Sequence, residues 1–64
     1  MREVELWRRL GTHLGDAYAL AWAEQATLAS LNSRTVRQAL ADGHPVKDIW
    51  RAAWEALELP FRDR

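Results

Sequence analysis

The side chains capable of acid–base, nucleophilic or metal chemistry are few in this chain. Two histidines (His13 and His44), nine carboxylates and two serines (Ser30 and Ser33) are the main candidates, with no cysteine. A metal site needs several converging ligands, and helical sites favour i,i+3 or i,i+4 spacing. Neither histidine has an acidic neighbour at that spacing on a shared face. His13 reads as a residue favoured by a helix C-terminal dipole, and His44 as a turn residue. Asp16, Asp42 and Asp48 fall where helix ends are expected, so capping and dipole effects account for them. No serine lies in a nucleophile elbow, and no glycine-rich loop is present to cradle phosphate. No catalytic residue, cofactor or metal is therefore expected, and the chain is not expected to be an enzyme.

The aromatic residues carry more information. Four tryptophans in 64 residues are a large apolar payload, and each buried indole N–H needs an acceptor. Trp7, Trp22 and Trp50 fall at core-facing helical positions. Trp54 falls at the rim of its helix, close to Lys47 and Arg51. Trp54, Arg51 and Lys47 are accordingly the candidate partner surface, with a rim tryptophan serving as an anchor. A local cation–π cap of Trp54 by Arg51 is the alternative reading of that position.

Length and charge narrow the class. Sixty-four residues make one domain, 1–64, whose core must be dense because no disulfide can staple it. Nine basic and nine acidic residues cancel, and the signs are interspersed along the chain. That balance argues against a generic nucleic-acid or membrane binder. No apolar run approaches a membrane span and the start lacks a signal-peptide pattern, so a cytoplasmic protein is expected, in keeping with the missing cysteines.

The elements that must position these residues follow from periodicity and caps. Leu6, Leu10 and Leu14, with Trp7 beside them, predict a helix over about 3–14 that ends at Gly15. Asp16 reads as the N-cap of a second helix over about 17–30. That helix is apolar on nearly every side, which suggests a central position or a homo-oligomer interface. Asn32-Ser33-Arg34 predicts a turn. Thr35 and Gln38 then form a capping box opening a third helix over about 35–42, closed by Gly43. Pro45 is placed at the first position of a fourth helix over about 45–58, whose apolar arc is Val46, Ile49, Trp50, Ala53 and Leu57. Phe61 is expected to fold back onto the core and residues 62–64 to fray. The expected fold is an all-α, compact four-helix domain without strands.

Helices three and four around Gly43 have a helix-turn-helix-like pattern. Ala39 is the small residue expected in the first helix, Gly43 fits the turn and Ile49 a buried position of the second helix. Gln38, Asp42 and His44, however, stand where that motif is usually apolar. A DNA-binding role would need Arg34, Arg37, Lys47 and Arg51 on one exposed face.

The chain also resembles a family of short actinobacterial proteins known as domain of unknown function 3046. The marks are Met1-Arg2 with Trp7, His13-Leu14-Gly15 before Tyr18-Ala19, and Arg34-Thr35-Val36 with Gln38-Ala39-Leu40 and Gly43. Lys47, Trp50-Arg51-Ala52, Glu55-Ala56 and Pro60 complete them. Departures fall at Asn32-Ser33, where members often have glycines, at Pro45, where an aspartate is common, and at Trp54, where a cysteine is common. The resemblance transfers no catalytic residue. Members are often encoded near genes for recombinational repair proteins, which implies an association with DNA metabolism. The leading expectation is a non-enzymatic module that binds another protein. A weak DNA-binding or DNA-associated regulator is the alternative.

Overall fold

A computed structural model describes residues 1–64. Four helices, α1 (Glu3–Leu14), α2 (Asp16–Gln25), α3 (Val36–Ala41) and α4 (Val46–Ala56), are accompanied by a short hairpin of β1 (Thr27–Leu28) and β2 (Arg34–Thr35). The strands are antiparallel, with Thr27 opposite Thr35 and Leu28 opposite Arg34. One 3₁₀ turn, Ala29–Leu31, sits inside the hairpin, and another, Phe61–Asp63, closes the chain. The protein is thus mostly helical but not purely so. No helix is long and apolar enough to cross a membrane.

The largest correction to the sequence reading is at α2. The helix stops at Gln25 rather than Ser30, because Ala26 turns extended and Thr27–Leu28 pairs with Arg34–Thr35. The cause is where the leucines must go. Ala19 and Ala23 are the buried face of α2, and a continuous helix would hold Leu28 roughly 140–180° away from them. Leaving the helix lets Leu28 and Leu31 turn into the core, where both are buried. A two-residue strand is too short to show alternation, so this hairpin left no period-2 signal. The second correction is to α2's expected central position. Tyr18 and Leu20 are 60% and 49% exposed, so the helix lies on the surface on its alanine face.

Smaller shifts occur at the helix starts. Asp16 is the first residue of α2 and Gly15 is its N-cap. Gly15 alone joins α1 to α2, with φ 85° and ψ 144°, a backbone region open to glycine and little else. Asp16 still places a carboxylate in the first turn, where the helix dipole favours it. Pro45 is the N-cap rather than the first residue of α4. The Thr35–Gln38 capping box forms as expected, the Gln38 amide donating to Thr35 Oγ1 at 3.1 Å and the Thr35 amide donating to Gln38 Oε1 at 2.9 Å.

The core draws on the four helices and the hairpin, with Ala19 and Ala23 from α2. Leu6 and Leu10 come from α1, Leu28 and Leu31 from the hairpin, Val36 and Ala39 from α3, and Ile49, Trp50, Ala52 and Ala53 from α4. The alanines of α2, α3 and α4 let the helix axes approach closely around the few large side chains.

Two helices end in the same device. At α3, Gly43 (φ 82°) follows the helix, with His44 N–H donating to Ala39 O and Gly43 N–H to Leu40 O, which is a Schellman motif. At α4, Leu59 N–H donates to Trp54 O and Glu58 N–H to Glu55 O, so the left-handed position falls to Glu58 (φ 54°). Glutamate there carries strain of about 1–2 kcal/mol that glycine avoids. This second reversal aims Leu59–Arg64 back along α4.

Candidate interaction face

Trp50 is the centre of the most distinctive surface. It lies on α4, is only 2% exposed, and donates its indole N–H to the Arg64 carbonyl at 3.1 Å. The Arg9 guanidinium, from α1, sits 5.5 Å from the Trp50 ring centroid and also reaches the Arg64 carbonyl at 3.4 Å. His13, one turn further along α1, stacks on Trp50 with centroids 6.2 Å apart. Its Nε2 lies 4.0 Å from Asp63 Oδ2.

One turn along α4, Trp54 is half-buried and donates its indole N–H to the Pro60 carbonyl at 2.8 Å. Phe61 meets it edge-on at 6.5 Å, and the Arg64 guanidinium lies 5.9 Å from its ring. Two indole donors therefore strap the C-terminal segment to α4. The segment expected to fray at 62–64 is instead turned and docked, since buried indoles need acceptors and the Glu58 reversal presents carbonyls to them.

Two clefts open on either side of this strap. The first, about 310 Å³, lies between α1 and the C-terminal turn, with Arg8, Arg9 and His13 facing Arg62, Asp63 and Arg64 across Trp50. The second, about 190 Å³, shares Arg9, Trp50 and Arg64 and adds Met1, Lys47 and Arg51. Arg8, Arg9, Lys47, Arg51, Arg62 and Arg64 are six of the chain's nine lysines and arginines. Asp63 carries the single acidic side chain among the lining residues.

Compensation on this face is partial. Glu5 takes bonds from Arg8 and from Arg9 Nε, the latter at 3.1 Å. The Arg8 bond first, and the Arg9 bond second, hold the Glu5 carboxyl below the usual range. The same bond raises Arg8 further. Lys47, Arg51, Arg62 and Arg64 have no carboxylate within 4 Å.

The residues singled out from the sequence are therefore divided. Lys47 and Arg51 share the second cleft, but Trp54 faces the C-terminal segment, and its guanidinium neighbour is Arg64 rather than Arg51. Arg34 and Arg37 line neither cleft. Arg34 donates to Asp42 Oδ2 at 2.9 Å, while Arg37 lies 3.9 Å from Glu24 and covers Trp7 at 5.1 Å. The four cations required for a DNA-facing surface are not gathered in one cleft. Arg8, Arg9, Arg62 and Arg64 were missed.

The architecture defines a small, mostly helical module with a basic, cleft-bearing face. The chain belongs to the family described as Protein of unknown function (DUF3046), whose model matches residues 1–62. No curated protein and no solved structure matches it.

Proposed function

We propose that the chain is a small non-enzymatic interaction module that binds another protein, and that its binding face is the surface around Trp50. The supporting observation is the set of four cations, Lys47, Arg51, Arg62 and Arg64, left without acidic partners beside two clefts. Like charges held together cost folding free energy, so their natural complement is a negatively charged surface on a partner. The cysteine-free chain suits a reducing, cytoplasmic setting for that encounter. A DNA-associated role through α3 and α4 draws less support, because Arg34 and Arg37 are already engaged by Asp42 and Glu24.

The test is site-specific photocrosslinking in the native cell, with the crosslinker placed at Lys47 in one version and at Arg34 in another. A discrete protein adduct from the Lys47 position and none from Arg34 is expected. A nucleic-acid adduct at Lys47, or equal adducts at both positions, would overturn the reading.

A further inference from the structure

The proposed face also constrains the chemistry of its occupant. Building on the protein-binding reading, we infer that the twin clefts take an acidic peptide segment that carries apolar side chains between its carboxylates.

Three features select that ligand. The first is the donor type. Three of the four uncompensated cations are arginines, whose planar fork takes a carboxylate through two parallel N–H bonds. Arg8 already uses such a geometry on Glu5, its Nε and Nη2 donating to the two carboxylate oxygens, so a carboxylate is an acceptor this face accommodates.

The second feature is the apolar rim. Phe61 is 74% exposed and lies beside Arg64, whose guanidinium is 5.5 Å from its ring. Met1, 46% exposed, lines the second cleft beside Lys47 and Arg51. A phosphate backbone has no use for these groups, whereas a peptide with leucine or phenylalanine between its acids covers them.

The third feature is what the face lacks. Single-stranded nucleic acid needs open aromatic rings on which bases stack. Phe61 is the single open ring on this face, since Trp50 is almost wholly buried and Trp54 is occupied by Phe61 and Arg64, so successive bases have no row of rings to stack on. A long duplex would run beyond the basic clefts onto a molecule of zero net charge, where the remaining acids repel it.

The experiment is an NMR titration of the full chain, following backbone amides and indole N–H signals. Four probes are compared: a short synthetic peptide alternating glutamate with leucine and phenylalanine, its glutamine counterpart, inorganic phosphate, and a duplex oligonucleotide. The acidic peptide should shift the Trp50 indole and the amides of Arg9, Lys47, Arg51 and Arg64, and bind more weakly as salt rises. The glutamine peptide and phosphate should shift none of them appreciably. Lys47→Glu with Arg51→Glu should weaken peptide binding by about tenfold or more. Lys47→Gln with Arg51→Gln, checked for an unchanged helical spectrum, should weaken it in the same direction.

A lack of response to the acidic peptide at millimolar concentration overturns the inference, as does a response to duplex or phosphate that matches it. A protein crosslinked at Lys47 together with a silent peptide titration would leave the module reading standing and remove the acidic-segment one.

Discussion

Around α3, each arginine has an acid of its own: Arg34 meets Asp42, and Arg37 meets Glu24 while covering Trp7. Around Trp50, six cations crowd two clefts, and Lys47, Arg51, Arg62 and Arg64 lack an acidic neighbour within 4 Å. Both regions come from one chain with balanced charge. Net charge and local interspersion in sequence therefore say little about the field a folded surface presents. Segregation arises when α1, from the start of the chain, meets α4 and the C-terminal turn at one tryptophan. The paired side has electrostatics that serve the fold, whereas the unpaired side holds charges the fold does not need.

The largest expected effect tests what holds the unpaired side together. Trp50→Ala removes the core side chain on which Arg9, His13 and Arg64 all converge. Truncating a buried tryptophan costs about 3–5 kcal/mol. A chain of this size has a total stability of roughly 3–10 kcal/mol. Thermal melts followed by circular dichroism should show a domain largely unfolded, or melting far below wild type. A small shift would mean that the clefts do not depend on this anchor.

Trp54→Ala should cost less, about 1–2 kcal/mol, because the ring is only half-buried. Its effect should be confined to the unpaired side. Loss of the donor to the Pro60 carbonyl and of the Phe61 contact should loosen the C-terminal turn. Amide hydrogen exchange reads this directly. The Asp63 and Arg64 amides, bonded to the Pro60 and Phe61 carbonyls, should exchange faster, while the His44 amide at the end of α3 should not. Uniform acceleration at all three sites would break the distinction between the regions.

The two Schellman ends carry the comparison into the backbone. Gly43 closes α3 without strain, whereas Glu58 closes α4 in the same left-handed region. Glu58→Gly should stabilise the protein by about 0.5–1 kcal/mol, relief of strain outweighing the greater freedom of glycine in the unfolded chain. A lower melting temperature for this variant would mean that the Glu58 side chain contributes something that glycine cannot replace.

Much of this architecture was legible in the residues themselves. Leucines four apart set the bounds of α1, the Thr35–Gln38 box marked the start of α3, and the arc through Ile49, Trp50 and Ala53 defined α4. What escaped depends on partners remote in sequence. Nothing within 26–31 announces that Leu28 and Leu31 reach the core by leaving a helix. A left-handed glutamate cannot be foreseen where glycine or asparagine is the usual signal. The strap on Trp50 and Trp54 uses backbone carbonyls, which carry no residue-type signature. For that reason Lys47 and Arg51 could be singled out in advance, whereas Arg62 and Arg64, placed by the strap, could not.

The smallest expected effect is the most direct test of the two kinds of cation. Arg34→Gln and Arg51→Gln each remove one positive charge from the surface, but from opposite sides of the comparison. Arg34 loses its bond to Asp42, which ties the hairpin to the end of α3, and its 3.2 Å bond to the Leu31 carbonyl within the hairpin. Both partners are substantially exposed, at 39% and 51%, so solvent screening limits the cost to about 0.5–1 kcal/mol. Arg51 has no acidic partner within 4 Å and stands four residues from Lys47 on the same helix. Repulsion from Lys47 at that spacing, a few tenths of a kcal/mol, is offset by attraction from Asp48 and Glu55 three and four residues away, so Arg51→Gln should be close to neutral. Raising salt should shrink the difference, since both effects are electrostatic. Urea melts of the two variants beside wild type, at low and high salt, resolve it. If Arg51→Gln costs as much as Arg34→Gln at low salt, Arg51 is serving the fold after all, and the contrast between paired and unpaired cations fails at its central residue.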